Sequence, residues 1–393
     1  MTNSVLIAGA SVAGVGAANE LRRSGFRGDI TLLDGQPHLP YDRPPLSKAG
    51  LLDPAATGFH FHDEKYYATS GISLQLGSAV RSLDPASRTV TLASGEQFSA
   101  DMVIIATGAR ARPFPQREGT GKVHLLRDFD DALALREDLS PGKRLVIIGG
   151  GFIGAEVASS AVDLGATVVL IEAAAQPFER VLGEKIARRL SALHDERGID
   201  LKCGNAVDRI EAMETGERKL FLSNGAVVEA DVVLAGLGSL PNVEWLKSSG
   251  IALGNGVVCD EHGKTSHTGV YAAGDVAAWF DVRTGVHERH EHWTAAREQG
   301  RIVAQRIIGT HDSSWSEFVP YFWSDFHGKR IQMLGSSRGA TEVEYVFEDA
   351  AKNAFVAEYR KQGTVVGVVG CNAGARTMRY ASQLAEAVAR PNA

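Results

Sequence analysis

Sulfur is scarce in this chain: three cysteines, Cys203, Cys259 and Cys371, are scattered over 393 residues. None forms a CxxC pair, which excludes a thioredoxin-like redox couple, a zinc ribbon and a disulfide framework. Long apolar runs are missing too, since none approaches the roughly 18 residues that a membrane-crossing helix needs. The first apolar segment, 4–8, starts without a basic leader or cleavage site, so the chain reads as a cytoplasmic protein with no membrane part. Positive charge is also in deficit. A formal charge of −6 and a pI near 6.1 argue against a nucleic-acid partner. What remains, 44% hydrophobic and 22% charged residues, is ordinary globular composition at a length that calls for two or three domains.

Two glycine-rich turns stand out. Residues 5–8 form a short β-type run, GASVAG follows from Gly9 to Gly14, and residues 17–23 favour a helix before Gly25 breaks it. Residues 30–33 form the next strand, ending in Asp34, 20 residues past Gly14. That is where a dinucleotide fold places the acid that holds a ribose hydroxyl. Ser11 replaces the middle glycine, the smallest polar substitute at a point where backbone must approach a diphosphate. The pattern repeats at 145–148 followed by GGGFIG, with Gly149, Gly151 and Gly154 all in place and Phe152 and Ile153 between them. A helix-forming stretch at 155–164 and a strand at 168–171 close this unit. Glu172 ends that strand, 18 residues beyond Gly154, and three alanines follow it with no arginine to meet a 2′-phosphate. NADH is therefore expected over NADPH. Two such units in one chain imply two dinucleotides, one tightly held and one exchangeable, and flavin plus nicotinamide is the obvious pair.

Further segments carry a family likeness: PYDRPPLSK at 40–48, ATG at 106–108, the Gly149 turn with Glu156, AAGD at 272–275 and PYFWSD at 320–325. Together they resemble the FAD-dependent NADH:ferredoxin reductases of bacterial P450 and Rieske oxygenase systems. This is the putidaredoxin reductase and biphenyl dioxygenase ferredoxin reductase family, within the pyridine nucleotide-disulfide oxidoreductase superfamily. The resemblance covers nearly the whole chain. It implies an α/β protein of glutathione-reductase-like fold, with two Rossmann-like dinucleotide-binding domains and a small C-terminal α/β domain. The FAD domain would comprise 1–110 and 240–318, the NAD domain 111–239 and the C-terminal domain 319–393.

The resemblance also assigns roles. Gly9, Ser11, Ala13 and Gly14 would hold the FAD pyrophosphate, Asp34 the adenosine ribose, and Val80 would offer backbone to the adenine. Arg43, Lys48 and Arg127 would bring positive charge. Ala106, Thr107 and Gly108 would border the cofactor, and Gly274 and Asp275 would meet its ribityl chain and phosphate. Gly149, Gly151, Phe152, Ile153, Gly154, Glu172, Gly236 and Gly238 would form the NAD side. Lys48 and Glu156, with Trp293, are the expected catalytic group: an ion pair orienting the carboxamide, and an indole against the rings. Phe152 would shield the flavin until the nicotinamide displaces it, and a helix from about 294 to 308 would point its positive end at the flavin.

Disulfide reductases of the wider class place cysteines on the helix after the first acid, whereas residues 41–47 contain no sulfur. Electrons must then leave one at a time to an outside acceptor, and a [2Fe–2S] ferredoxin is the expected partner. Arg301, Lys329, Arg330, Arg376 and Arg379 are candidates for a basic docking face. A rubredoxin reductase or NADH oxidase differs by acceptor alone, and a redox-sensing interaction flavoprotein like apoptosis-inducing factor is the alternative from another class. A monomer or weak homodimer is expected. His287, His290 and His292 fit no zinc template, and no metal is expected.

Overall fold

The computed structural model describes residues 2–53, 59–115, 117–310 and 314–389. Buried aliphatic runs form its two parallel sheets, as expected of strands covered on both faces. The first sheet has the order 270–272, 102–105, 4–8, 29–33, 72–75, with every neighbouring pair parallel. The second has the order 200–203, 167–172, 144–148, 232–235, again all parallel. Between them runs a two-stranded antiparallel link, Ala109–Ala111 against Ser239–Pro241.

Helix Val12–Arg23 follows the first strand and lies across helix Trp293–Ile308. Their approach is so close that a Cβ on Gly300 would sit 2.4 Å from the Ala13 carbonyl oxygen. Helix Phe152–Asp163 packs between the second sheet and strand Tyr321–Phe326. Both crossover helices begin earlier than composition alone suggests, by five residues in the first unit and three in the second, because their caps, Ser11 and Gly151, lie inside the glycine turns.

The C-terminal part is a five-stranded antiparallel sheet of order 321–326, 329–335, 364–371, 354–361, 342–349. Gln362 and Gly363 join two of these strands with φ of 51° and 78°, the left-handed pair that a tight hairpin turn requires. Two helices, Gly374–Met378 and Tyr380–Ala389, follow the sheet and are separated at Arg379. No helix of the described residues is long and apolar enough to cross a membrane.

Candidate functional site

The carboxyl ends of the first sheet open into a cleft. Gly9, Ser11, Ala13, Asp34, Arg43, Lys48, Ala106, Thr107, Gly108, Arg127, Gly274 and Asp275 all line it, and Phe152, Ile153, Glu156 and Trp293 close its far side. Gly9 has φ 113°, and a Cβ there would stand 2.1 Å from the Ala106 carbonyl oxygen. Gly14 is as tightly placed, 1.9 Å from the Gly9 oxygen. Only glycine fits, and the backbone is thereby brought to the cleft wall. Ser11 caps the following helix without a side-chain bond, and no acidic residue stands in the first turn, so the positive helix end is uncompensated.

Charge is arranged around that end. Arg127 Nη2 meets Asp275 Oδ2 at 2.7 Å, and its Nε donates to the Ala109 carbonyl at 2.8 Å. Burial, and the neighbouring Arg127, push the Arg43 guanidinium below its ordinary value. Asp34 accepts from the N–H groups of Ala10 at 3.2 Å and Gln36 at 3.0 Å. Burial nevertheless outweighs these bonds and raises its pKa.

At the far side, Lys48 Nζ lies 2.9 Å from Glu156 Oε1. Trp293 is the first residue of its helix rather than preceding it; its Nε1 donates to Asp42 Oδ1 at 2.7 Å, and its ring meets Trp323 edge-on at 6.0 Å. Phe152 sits between Phe178 and Phe322, at 5.1 and 4.9 Å. His292 lines the cleft, meets Phe322 at a tilt with ring centroids 4.8 Å apart, and carries a buried Nδ1 with no partner.

The glycines of the second turn lie off the lining of this cleft, which Phe152 and Ile153 of the same turn reach. Gly149 has φ 110°, and its Cβ would meet the Gly236 carbonyl oxygen at 2.3 Å. Gly154 packs on the Gly149 oxygen in the same way. Glu172 accepts from Gly150 N–H at 2.7 Å and Ala174 N–H at 2.8 Å. Gly151 has open space around it, Gly236 donates to the Ile148 carbonyl, and Gly238 takes a positive φ. Val80 opens strand Val80–Asp84 and packs against the first core, off the cleft lining.

Of the basic residues, Arg301 is held by Glu298 and Gln305, Arg330 by Asp325, and Arg376 lies over the Phe347 ring. Burial pushes His290 down to about 4 and also lowers His292. Among the described residues no group of three or more His, Cys, Asp or Glu side chains could hold a metal. Asp42, Ser47, Ser324 and Asp325 went unread in the sequence; their signal was present, because all four lie inside the quoted 40–48 and 320–325 segments.

Known proteins match this arrangement. The chlorobenzene dioxygenase ferredoxin reductase component of Cupriavidus sp. (strain PS12) is 36% identical, over 98% of this chain and 93% of its own. The rubredoxin-NAD(+) reductase of Pseudomonas putida is 33% identical, over 91% and 93%. The crystal structure of the covalent putidaredoxin reductase–putidaredoxin complex aligns with a TM-score of 0.92 at 31% identity, over 98% of this chain and 93% of that one. Residues 321–393 match the reductase C-terminal family. Residues 3–300 match the pyridine nucleotide-disulphide oxidoreductase family, and the chain belongs to it.

Proposed function

We propose that the protein is an NADH:ferredoxin oxidoreductase, holding FAD in the cleft and passing electrons singly to a [2Fe–2S] ferredoxin of an oxygenase system. The residues fit FAD: a glycine cradle in which a Cβ would collide, an uncompensated helix end beside Arg43 and Arg127, and an unpartnered His292 nitrogen for a polar ring edge. Bound there, FAD supplies hydride acceptance and one-electron release. The Gly9–Gly14 turn and Asp34 grip its diphosphate and ribose, and Asp275 with Arg127 takes the ribityl side. Lys48, Glu156 and Trp293 orient the nicotinamide, and Phe152 swings aside for it.

The observation that carries the choice of acceptor is the cleft wall, which among the described residues contains no sulfur. With no thiol to receive them, electrons leave the chain. The names of the relatives supply the acceptor class, ferredoxin in one and rubredoxin in another. Preference for NADH rests on Glu172, whose carboxylate faces the ribose position and repels a 2′-phosphate. The parallel sheets support an FAD part of 1–110 and 240–318, an NAD part of 111–239, and a C-terminal part of 319–393.

Anaerobic titration with NADH should bleach the flavin, and a [2Fe–2S] ferredoxin added afterwards should be reduced. Transfer to oxygen alone, with every ferredoxin and rubredoxin tried left oxidised, overturns the proposal.

A further inference from the structure

Trp293 lines the cleft as the first residue of helix Trp293–Ile308. A side chain within a helix leans back over the preceding turn, which settles its torsions. At the first position there is no such turn, and His292 before it is extended, with φ −112° and ψ 139°. The helix therefore leaves the indole free to rotate, and its orientation has to come from elsewhere.

Three groups meet the ring. The Arg297 guanidinium, one turn on, lies 5.6 Å from the ring centroid, and Trp323 meets it edge-on at 6.0 Å. These two contacts constrain distance more than direction. The third is directional: the indole Nε1 donates to Asp42 Oδ1 at 2.7 Å, across 251 residues of sequence. An indole has a single hydrogen-bonding group, and a bond on it, with Cβ anchored to the backbone, fixes the plane of the ring.

Asp42 is firmly mounted for this. Its backbone N–H donates to the Phe59 carbonyl at 2.7 Å, and the Phe61 N–H donates to the Pro40 carbonyl at 2.9 Å. Tyr41 beside it is buried, its hydroxyl donating to Gln36 Oε1 and accepting from the Phe129 N–H, both at 2.9 Å. Pro44 and Pro45 stiffen the chain just beyond. Burial raises the Asp42 pKa, and the indole bond and the Lys48 charge oppose it. A hydrogen bond in such surroundings is stronger than in water.

We propose that Asp42 is a positioning residue: it accepts the indole N–H and so holds the Trp293 ring in the orientation that receives the nicotinamide of NADH. This deepens the proposed function and rests on its placing of the nicotinamide beside Trp293. Asp42 acts on the coenzyme only through the indole. What it contributes is an acceptor rather than a charge, so asparagine, which keeps an oxygen at the same place, can replace it.

The test is a double-mutant cycle read as the dissociation constant of NAD+ on the FAD-loaded protein, by calorimetry. Asp42→Ala should weaken NAD+ about fivefold. Trp293→Phe, which removes the N–H and keeps an aromatic ring, should weaken it by about fivefold or more. With Trp293→Phe in place, Asp42→Ala should change the constant by less than about twofold. Asp42→Asn should stay within about twofold of wild type. An equal loss from Asp42→Ala in both backgrounds would mean that Asp42 acts without the indole. A loss from Asp42→Asn as large as that from Asp42→Ala would mean that its charge acts instead. No loss from Asp42→Ala would mean that the indole needs no brace. Each of these results overturns the proposal. If Asp42→Ala does not retain flavin, Asp42→Leu fills the space without an acceptor and completes the same cycle. A wild-type protein that neither binds NAD+ nor bleaches with NADH sinks the proposed function instead, a distinguishable failure.

Discussion

Gly9 and Gly149 stand at the same place in their two sheets. Each N–H donates to a carbonyl at the carboxyl end of the next strand, Leu33 and Ile171, at 2.8 Å. The residue after each glycine donates to an acid, Ala10 to Asp34 and Gly150 to Glu172, and the acid's second oxygen takes the N–H two residues beyond it. The turns therefore share one steric and hydrogen-bonding logic. What differs is the surroundings. The first turn is roofed by helix Trp293–Ile308 and Gly274, with two arginines in the same cleft. The second has Ile153 46% exposed at its tip, and open space around Gly151. A roofed turn suits a retained cofactor and an open one suits a substrate that comes and goes. On the proposed function, the surroundings rather than the turn assign the two nucleotides.

The sharpest way to break this comparison is to damage both turns alike. Gly9→Ala and Gly149→Ala each force a Cβ onto a backbone oxygen at a positive φ, costing roughly 3 kcal/mol or more locally. If surroundings assign the sites, Gly9→Ala purifies without flavin, while Gly149→Ala keeps its flavin spectrum and is bleached by NADH at less than about a tenth of the normal rate. Loss of flavin from both would show the two sites are one cooperative unit. Next in size is Glu172→Arg, which exchanges a ribose acceptor for a phosphate partner. The NADH to NADPH ratio of kcat/KM should fall by roughly a hundredfold. An unchanged ratio would remove Glu172 from the binding surface.

The turns were legible because their requirement is steric and strict: a backbone oxygen about 2 Å from a would-be Cβ leaves glycine no rival. The acids were legible by register. Helix starts were not, since Ser11 and Gly151 act as caps from within a segment that reads as loop. Nor were the partners of Glu156: Ser47 and Ser324, which donate to it, lie 109 and 168 residues away, and a serine in a strand or a 3₁₀ turn carries no mark of its partner.

Asp34 offers a smaller effect with a definite sign. Burial raises its pKa above the ordinary 3.8, so the folded chain holds that proton more firmly than the unfolded one. The resulting stabilisation is present at acid pH and is lost as pH rises through the raised value. Asparagine stays neutral throughout. The melting temperature of flavin-free Asp34→Asn, minus that of wild type, should grow more positive from about pH 4 to about pH 7. A flat difference would mean that the two N–H bonds balance burial, and a difference that falls with pH that they outweigh it. The same variant should hold FAD more weakly, since the charged acceptor proposed for the ribose hydroxyls is gone.

The smallest expected effect is the most direct test of equivalence between the turns. Ser11 has φ −93° and Gly151 φ −77°, both extended and open to any residue, and no atom lies within 4 Å of a Cβ built on Gly151. Exchanging the two residues should therefore leave stability within about 0.5 kcal/mol, measured by thermal unfolding. Binding should follow the surroundings. In the open second turn a serine can rotate its hydroxyl toward solvent, so Gly151→Ser should weaken NAD+ by no more than about threefold. Ser11→Gly should leave flavin content unchanged, because the Ser11 side chain makes no capping bond to lose. A large loss from Gly151→Ser would mean that the nicotinamide side needs closer backbone approach than the flavin side. The second turn, not the first, would then be the more exacting of the two.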